Sequence, residues 1–100
     1  MQNSMKNSID YKFRIFLLEL CEGRELTVND IRKVIKRDYK EKDFSRQRIN
    51  ELIKQFVDSN FLTRNKIEPS EDDKCKYSYT TTRRGIERIR YYTTQLSRGN

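Results

Sequence analysis

The stretch from Ser45 to Asn60, SRQRINELIKQFVDSN, constrains this chain more than any other. Ile49, Leu52, Ile53, Phe56 and Val57 recur at i, i+3, i+4, i+7 and i+8, one continuous apolar stripe at helical period. Gln47, Arg48, Glu51, Lys54 and Gln55 project away from that stripe, and Arg46 and Asn50 sit at its flank. These polar residues can hydrogen-bond base edges or phosphates: arginine pairs with guanine, asparagine and glutamine with adenine. Asp43 and Ser45 are both candidate N-caps, so the long polar side chains crowd the first turns of the helix. A solvated outer face has the same composition, so the rest of the chain has to decide between the two readings.

Charge points to a polyanion. The chain has 100 residues, one domain's worth, with 22 Lys and Arg against 15 Asp and Glu, a formal charge of +7. The excess lies at the ends. Residues 1–42 carry ten basic and seven acidic groups, and residues 83–100 carry five and one, whereas residues 43–60 and 61–82 are each balanced. Flanking charge would steer the chain to a polyanion, and the central helix would supply selectivity.

The remaining elements follow in order. Residues 1–7 are polar and aperiodic, expected as a flexible arm. Ser8 is a candidate N-cap for a helix over 9–22 with Ile9, Phe13, Phe16, Leu17 and Leu20 as its core stripe. Tyr11, Ile15 and Leu18 form a second apolar strip, covered either by the chain's own domain or by a partner subunit. Gly23 stops this helix. Arg24–Leu26 suits a short strand edge, and Thr27 with Asp30 resembles a capping box opening a helix to about Arg37 or Lys40. There Val28, Ile31, Val34 and Ile35 face inward, while Arg32, Lys33, Lys36 and Arg37 form either a solvated face or a set of phosphate contacts. Tyr39–Phe44 connects to the central helix, with Phe44 a candidate anchor. Asn60 suits a left-handed C-cap. Phe61–Ile67 and Cys75–Thr82 read as two strands of a β-hairpin across the loop EPSEDDK. Thr82 caps a last, arginine-rich helix with Ile86, Ile89, Tyr92 and Leu96 at helical spacing, and residues 97–100 are expected as a flexible tail.

Helix, short strand edge, helix, turn, helix, hairpin, helix is a mainly α architecture with a small β-hairpin (α+β), and it resembles a winged helix-turn-helix domain. The likeness rests on the two apolar-spaced helices, on Asn60-Phe61-Leu62-Thr63-Arg64 leaving the central helix, and on Tyr79-Thr80-Thr81-Thr82-Arg83-Arg84-Gly85-Ile86. The last run is similar to the strand-to-helix join of the MarR and PadR regulators. The resemblance implies a transcription regulator that binds double-stranded DNA, generally as a homodimer through its terminal helices; with no signal-peptide pattern in the sequence, a cytoplasmic location is expected.

By position, Arg46, Gln47, Arg48, Asn50 and Glu51 fall where such proteins read the major groove, with Lys54 near a phosphate. Arg32, Lys33 and Lys36 would meet the backbone, as would Arg64, Lys66, Lys74 and Lys76 on the wing. Tyr11, Ile15, Leu18, Ile86, Ile89, Tyr92 and Leu96 would form the dimer interface. The chain departs from a strongly binding wing in its acidic tip, Glu68, Glu71, Asp72 and Asp73, which a narrow minor groove would repel. The tip is therefore expected to stay out of the groove, as a solvated loop.

Other classes fit less well. There is no histidine, no glycine-rich phosphate loop and no nucleophile–base pair, so no enzyme, metal site or cofactor is expected. No membrane span is expected either. Cys21 reads as core and Cys75 as more exposed, and a disulfide through either is open. The rival to DNA reading is a winged helix used for protein–protein contact or non-specific nucleic-acid binding, which the balanced central helix and acidic tip would suit.

Overall fold

The architecture was analysed in a computed structural model that describes residues 4–38 and 45–98, with side chains from Tyr11 onward. The expected connection at Tyr39–Phe44, the Phe44 anchor and the Asp43 cap lie outside the described residues, as do the side chain of Ile9 and residues 1–3 and 99–100. Four helices and one hairpin follow in the order α1 (Ser4–Leu20), α2 (Val28–Asp38), α3 (Arg46–Asp58), β1 (Leu62–Lys66), β2 (Tyr77–Thr81) and α4 (Arg83–Arg98).

Most element ends carry their own stop or start signal. Thr27 and Asp30 cap α2 reciprocally: Thr27 N–H donates to Asp30 Oδ2 and Asp30 N–H to Thr27 Oγ1, each at 3.1 Å. Ser45 Oγ accepts from Arg48 N–H (3.1 Å) at the start of α3. At its end Asn60 takes φ 65°, and Phe61 N–H reaches back to Phe56 O at 2.8 Å. Gly23 (φ 71°) turns the chain out of α1.

Several boundaries differ from expectation, among them the end of α1, which stops at Leu20 rather than residue 22. Helix α1 starts at Ser4, which puts Ser8 inside it rather than at its cap, and α4 runs through Ser97 to Arg98. Polar side chains do not exclude helix when a neighbouring helix supplies packing.

β1 and β2 pair antiparallel, with Leu62 opposite Thr81 and Lys66 opposite Tyr77. Both strands are shorter than expected, so Cys75 and Lys76 precede β2 instead of opening it. Leu26 bridges to the other edge of β2 through paired bonds with Tyr79 (2.8 and 3.1 Å), the short strand edge expected there. The hairpin's inner end is also tied to α1. Thr81 Oγ1 donates to Leu18 O (2.6 Å) and Thr81 N–H to Cys21 O (3.1 Å), which satisfies carbonyls that the end of a helix leaves unpaired.

One core joins all the elements. Phe13, Leu17, Leu18 and Cys21 of the α1 region meet Ile31 and Ile35 of α2 and Ile49, Leu52, Ile53 and Phe56 of α3. Phe61, Leu62, Tyr79 and Tyr92 close it. Helices α1 and α4 pack on each other. That packing corrects two expected dimer contacts. Leu18 is 0% exposed and Tyr92 6%, so both are covered within the chain. The second apolar strip of α1 is thus partly an intramolecular one: the Tyr92 ring lies 5.2 Å from that of Tyr11, and Arg14 Nη1 donates to Tyr92 Oη at 3.4 Å.

Candidate nucleic-acid interface

The apolar stripe of α3 faces the core, and that fixes what its other side presents. Arg46, Gln47, Arg48, Asn50, Glu51 and Lys54 are all exposed. Gln47 Nε2 donates to Glu51 Oε2 at 3.4 Å, one turn further on, which orders two of the six along the helix. Because Ser45 starts the helix immediately before them, Arg46 to Arg48 occupy its first turn, where the helix dipole favours anions.

The hairpin stands beside this face. Val28 at the start of α2, Asn50 and Lys54 of α3, Arg64 of β1 and Tyr79 of β2 line one groove of about 410 Å³. Three expected contact residues from two elements are therefore brought together at Asn50, Lys54 and Arg64. Val28 and Tyr79 were not expected there. Val28 was read as facing inward, and nothing local in the sequence signals that either residue lines a groove. Arg64 lays its guanidinium 4.8 Å from the Tyr77 ring centre, an arrangement that holds a cation on the strand without neutralising it. Lys66 is exposed on β1, and Lys74 and Lys76 are exposed in the loop rather than on a strand. On α2, Lys33 and Lys36 are exposed and Arg32 is half-exposed. Arg37 is engaged by Asp38 at 2.8 Å, and that carboxylate raises its pKa.

A second basic cluster lies on α4. Arg88 places its guanidinium 4.8 Å from the Phe61 ring centre and 4.6 Å from that of Tyr91, and with Arg83 and Arg84 it lines a shallow groove. The three-residue step from Arg88 to Tyr91 was a readable sign of this contact. Of the other expected dimer residues, Ile86 is exposed at 39%, while Tyr11, Ile15, Ile89 and Leu96 are half-buried. Tyr91, adjacent to Tyr92, is 45% exposed.

The cysteines are both free. Cys21 is 0% exposed, and burial pushes its thiol up to about 12. A thiol so protonated and enclosed does not exchange disulfides. Cys75 is half-buried in the hairpin loop. Among the described residues no three His, Cys, Asp or Glu side chains gather as metal ligands, and no helix is long and apolar enough to cross a membrane.

No protein-family model matches the sequence, and no curated protein matches it. Among solved structures, a Streptococcus transcriptional regulator superposes with a TM-score of 0.66 over 89% of this chain and 85% of that one, at 12% identity. This chain shares the fold of that protein. At so low an identity the likeness concerns the fold alone.

Proposed function

We propose that this protein is a winged helix-turn-helix transcription regulator that reads double-stranded DNA. In this reading α2 and α3 are the helix-turn-helix, α3 enters the major groove, and the β1–β2 hairpin is the wing. The observation that carries it is the two-sided character of α3. Its apolar side is consumed by the core, and its other side offers Arg46, Arg48, Asn50 and Lys54, all exposed, the last two sharing a groove with Arg64 of the hairpin. Arginine and asparagine make the bidentate contacts that distinguish guanine and adenine, and the lysine suits a phosphate. Lys33 and Lys36, with Arg32, would meet the backbone where α2 crosses it, and Lys66, Lys74 and Lys76 would do so from the wing. The likeness to a transcriptional regulator supports the same direction.

The active species in this reading is a homodimer. Leu18 and Tyr92 are removed from its interface by their burial, which leaves Ile86 and Tyr91 of α4 as the exposed apolar contacts, flanked by the half-buried Tyr11, Ile15, Ile89 and Leu96. A two-fold axis there would present paired α3 helices to half-sites about 34 Å apart.

The test is binding to fluorescent duplex fragments of the source genome across a salt series. Strong preference for a few fragments at physiological salt supports sequence reading. Equal, steeply salt-dependent binding to all of them contradicts it and leaves a basic surface acting by charge alone.

A further inference from the structure

The loop between β1 and β2 carries Glu68, Glu71, Asp72 and Asp73, and by charge alone all four belong in solvent. Asp73 does not stay there. Its Oδ2 accepts from Thr27 Oγ1 at 2.6 Å, and its Oδ1 accepts from Asn29 Nδ2 at 3.0 Å and from Cys75 N–H at 2.9 Å. Ser70 closes the loop around it. Ser70 N–H donates to Asp73 O (2.8 Å), and Asp73 N–H donates to Ser70 Oγ (2.9 Å). One carboxylate thus joins its own loop to the first turn of α2, whose contacting residues lie 44 and 46 positions earlier in the chain. The charge is well placed, since the start of a helix favours an anion and bonds to an ionised acceptor are the stronger kind. The hydrogen bond from Thr27, then those from Cys75, hold the carboxyl down at about 2.

The place of this contact matters more than its strength. Thr27 and Asn29 flank Val28, which lines the groove shared by Asn50, Lys54 and Arg64. A two-stranded hairpin is marginal by itself and free to swing. This one is held at its inner end by Thr81, at mid-strand by the Leu26–Tyr79 bridge and the bond from Ser78 Oγ to Glu25 Oε1 (3.2 Å), and in its loop by Asp73. We propose that Asp73 is a positioning residue: it fastens the hairpin loop to α2 and so sets where Lys66, Lys74 and Lys76 stand relative to the outward face of α3. The proposal rests on the DNA-binding reading above, and it departs from the expectation of a solvated tip at Asp73 alone, since Glu68, Glu71 and Asp72 are exposed.

It also reverses the sign that charge alone dictates. An acidic group beside a polyanion weakens binding, so its removal should strengthen it. A fastening group acts the other way, because an unfastened hairpin must be ordered when DNA binds.

The experiment compares wild type, Asp73→Ala, Asn29→Ala and the double variant, using the best-binding genomic duplex fragment at several salt concentrations. Amide exchange at Cys75 is measured on the same proteins without DNA. The expected result is binding weakened about threefold to tenfold by Asp73→Ala, a smaller loss in the same direction from Asn29→Ala, and no further loss in the double variant. Exchange at Cys75 is expected to accelerate in Asp73→Ala. Unchanged or tighter binding by Asp73→Ala overturns the proposal, and so does unchanged exchange at Cys75. A wild type that binds no duplex overturns the DNA reading and the positioning role with it, while faster Cys75 exchange in Asn29→Ala, which leaves the Asp73–Cys75 bond its own acceptor, still tells whether the loop is fastened to α2.

Discussion

Replacing Gly85 by alanine tests the join between the hairpin and α4, and the sign of its effect separates two arguments. Gly85 lies in the first turn of α4, where helix propensity alone favours alanine by up to about 1 kcal/mol. The surroundings oppose that gain. A Cβ at Gly85 would lie 2.3 Å from Phe61 O and 2.7 Å from Thr81 Cγ2. Phe61 O is backbone and already accepts the Thr82 N–H at 3.0 Å, so it cannot retreat without loosening that bond. Thr82 is itself fixed, donating from Oγ1 to Asn60 O (2.6 Å) while accepting from Gly85 N–H (3.0 Å). Overpacking of this kind costs about 1–3 kcal/mol, and a weakened hydrogen bond adds about 1 kcal/mol. Against the propensity gain, a net destabilisation of roughly 2 kcal/mol follows, which lowers Tm by roughly 8–16 °C for a chain of this length. Urea and thermal unfolding followed by circular dichroism measure it directly. A neutral or more stable Gly85→Ala protein would refute the close approach of α4 to Phe61 and with it the geometry of the join.

Further outcomes follow from the same contacts. Leu18→Ala should lose about 2–5 kcal/mol of stability, as core truncations do, and should leave oligomeric state at fixed concentration unchanged; dissociation without loss of stability would return Leu18 to an interface. Ile86→Arg with Tyr91→Arg should convert a dimer to a monomer in light scattering while circular dichroism stays the same, and a wild type that is monomeric at micromolar concentration removes the dimer altogether. Acid should release the hairpin loop. The Asp73 carboxyl is held at about 2 against an ordinary 3.8, so its contribution is fully present above 3.8 and is lost as pH falls toward 2. Asp73→Asn should flatten that part of the stability profile relative to wild type, and parallel profiles would contradict the fastening.

What the sequence revealed and what it hid divide along one physical line. Local signals were legible. The spacing of Ile49, Leu52, Ile53 and Phe56 located α3. Thr27 with Asp30, Ser45, Asn60 and Thr82 marked element ends because a cap involves only its near neighbours. Contacts distant in sequence were not legible. An apolar strip containing Leu18 reveals that something covers it, but not whether that is α4 of the same chain or a second copy. The composition of EPSEDDK marked a solvated acidic loop, and nothing in it pointed to Thr27 and Asn29. The start of α1 was misplaced for a related reason: MQNSMKN has no helical period, and a helix anchored downstream by Phe13 and Leu17 can extend through polar residues that do not specify it. On α3 the sequence named the exposed polar set correctly by periodicity, since one face of a helix fixes the other, but it could not show that Asn50, Lys54 and Arg64 share a groove.

The central claim is that the outward face of α3 reads base sequence, and Arg48→Ala tests it most directly. The measurement is the affinity of wild type and variant for a preferred and a non-preferred genomic duplex at physiological salt. The account predicts that Arg48→Ala loses about 1–3 kcal/mol on the preferred duplex and much less on the other, so that the preference collapses. An equal loss on both, or none on either, would contradict a reading role for α3.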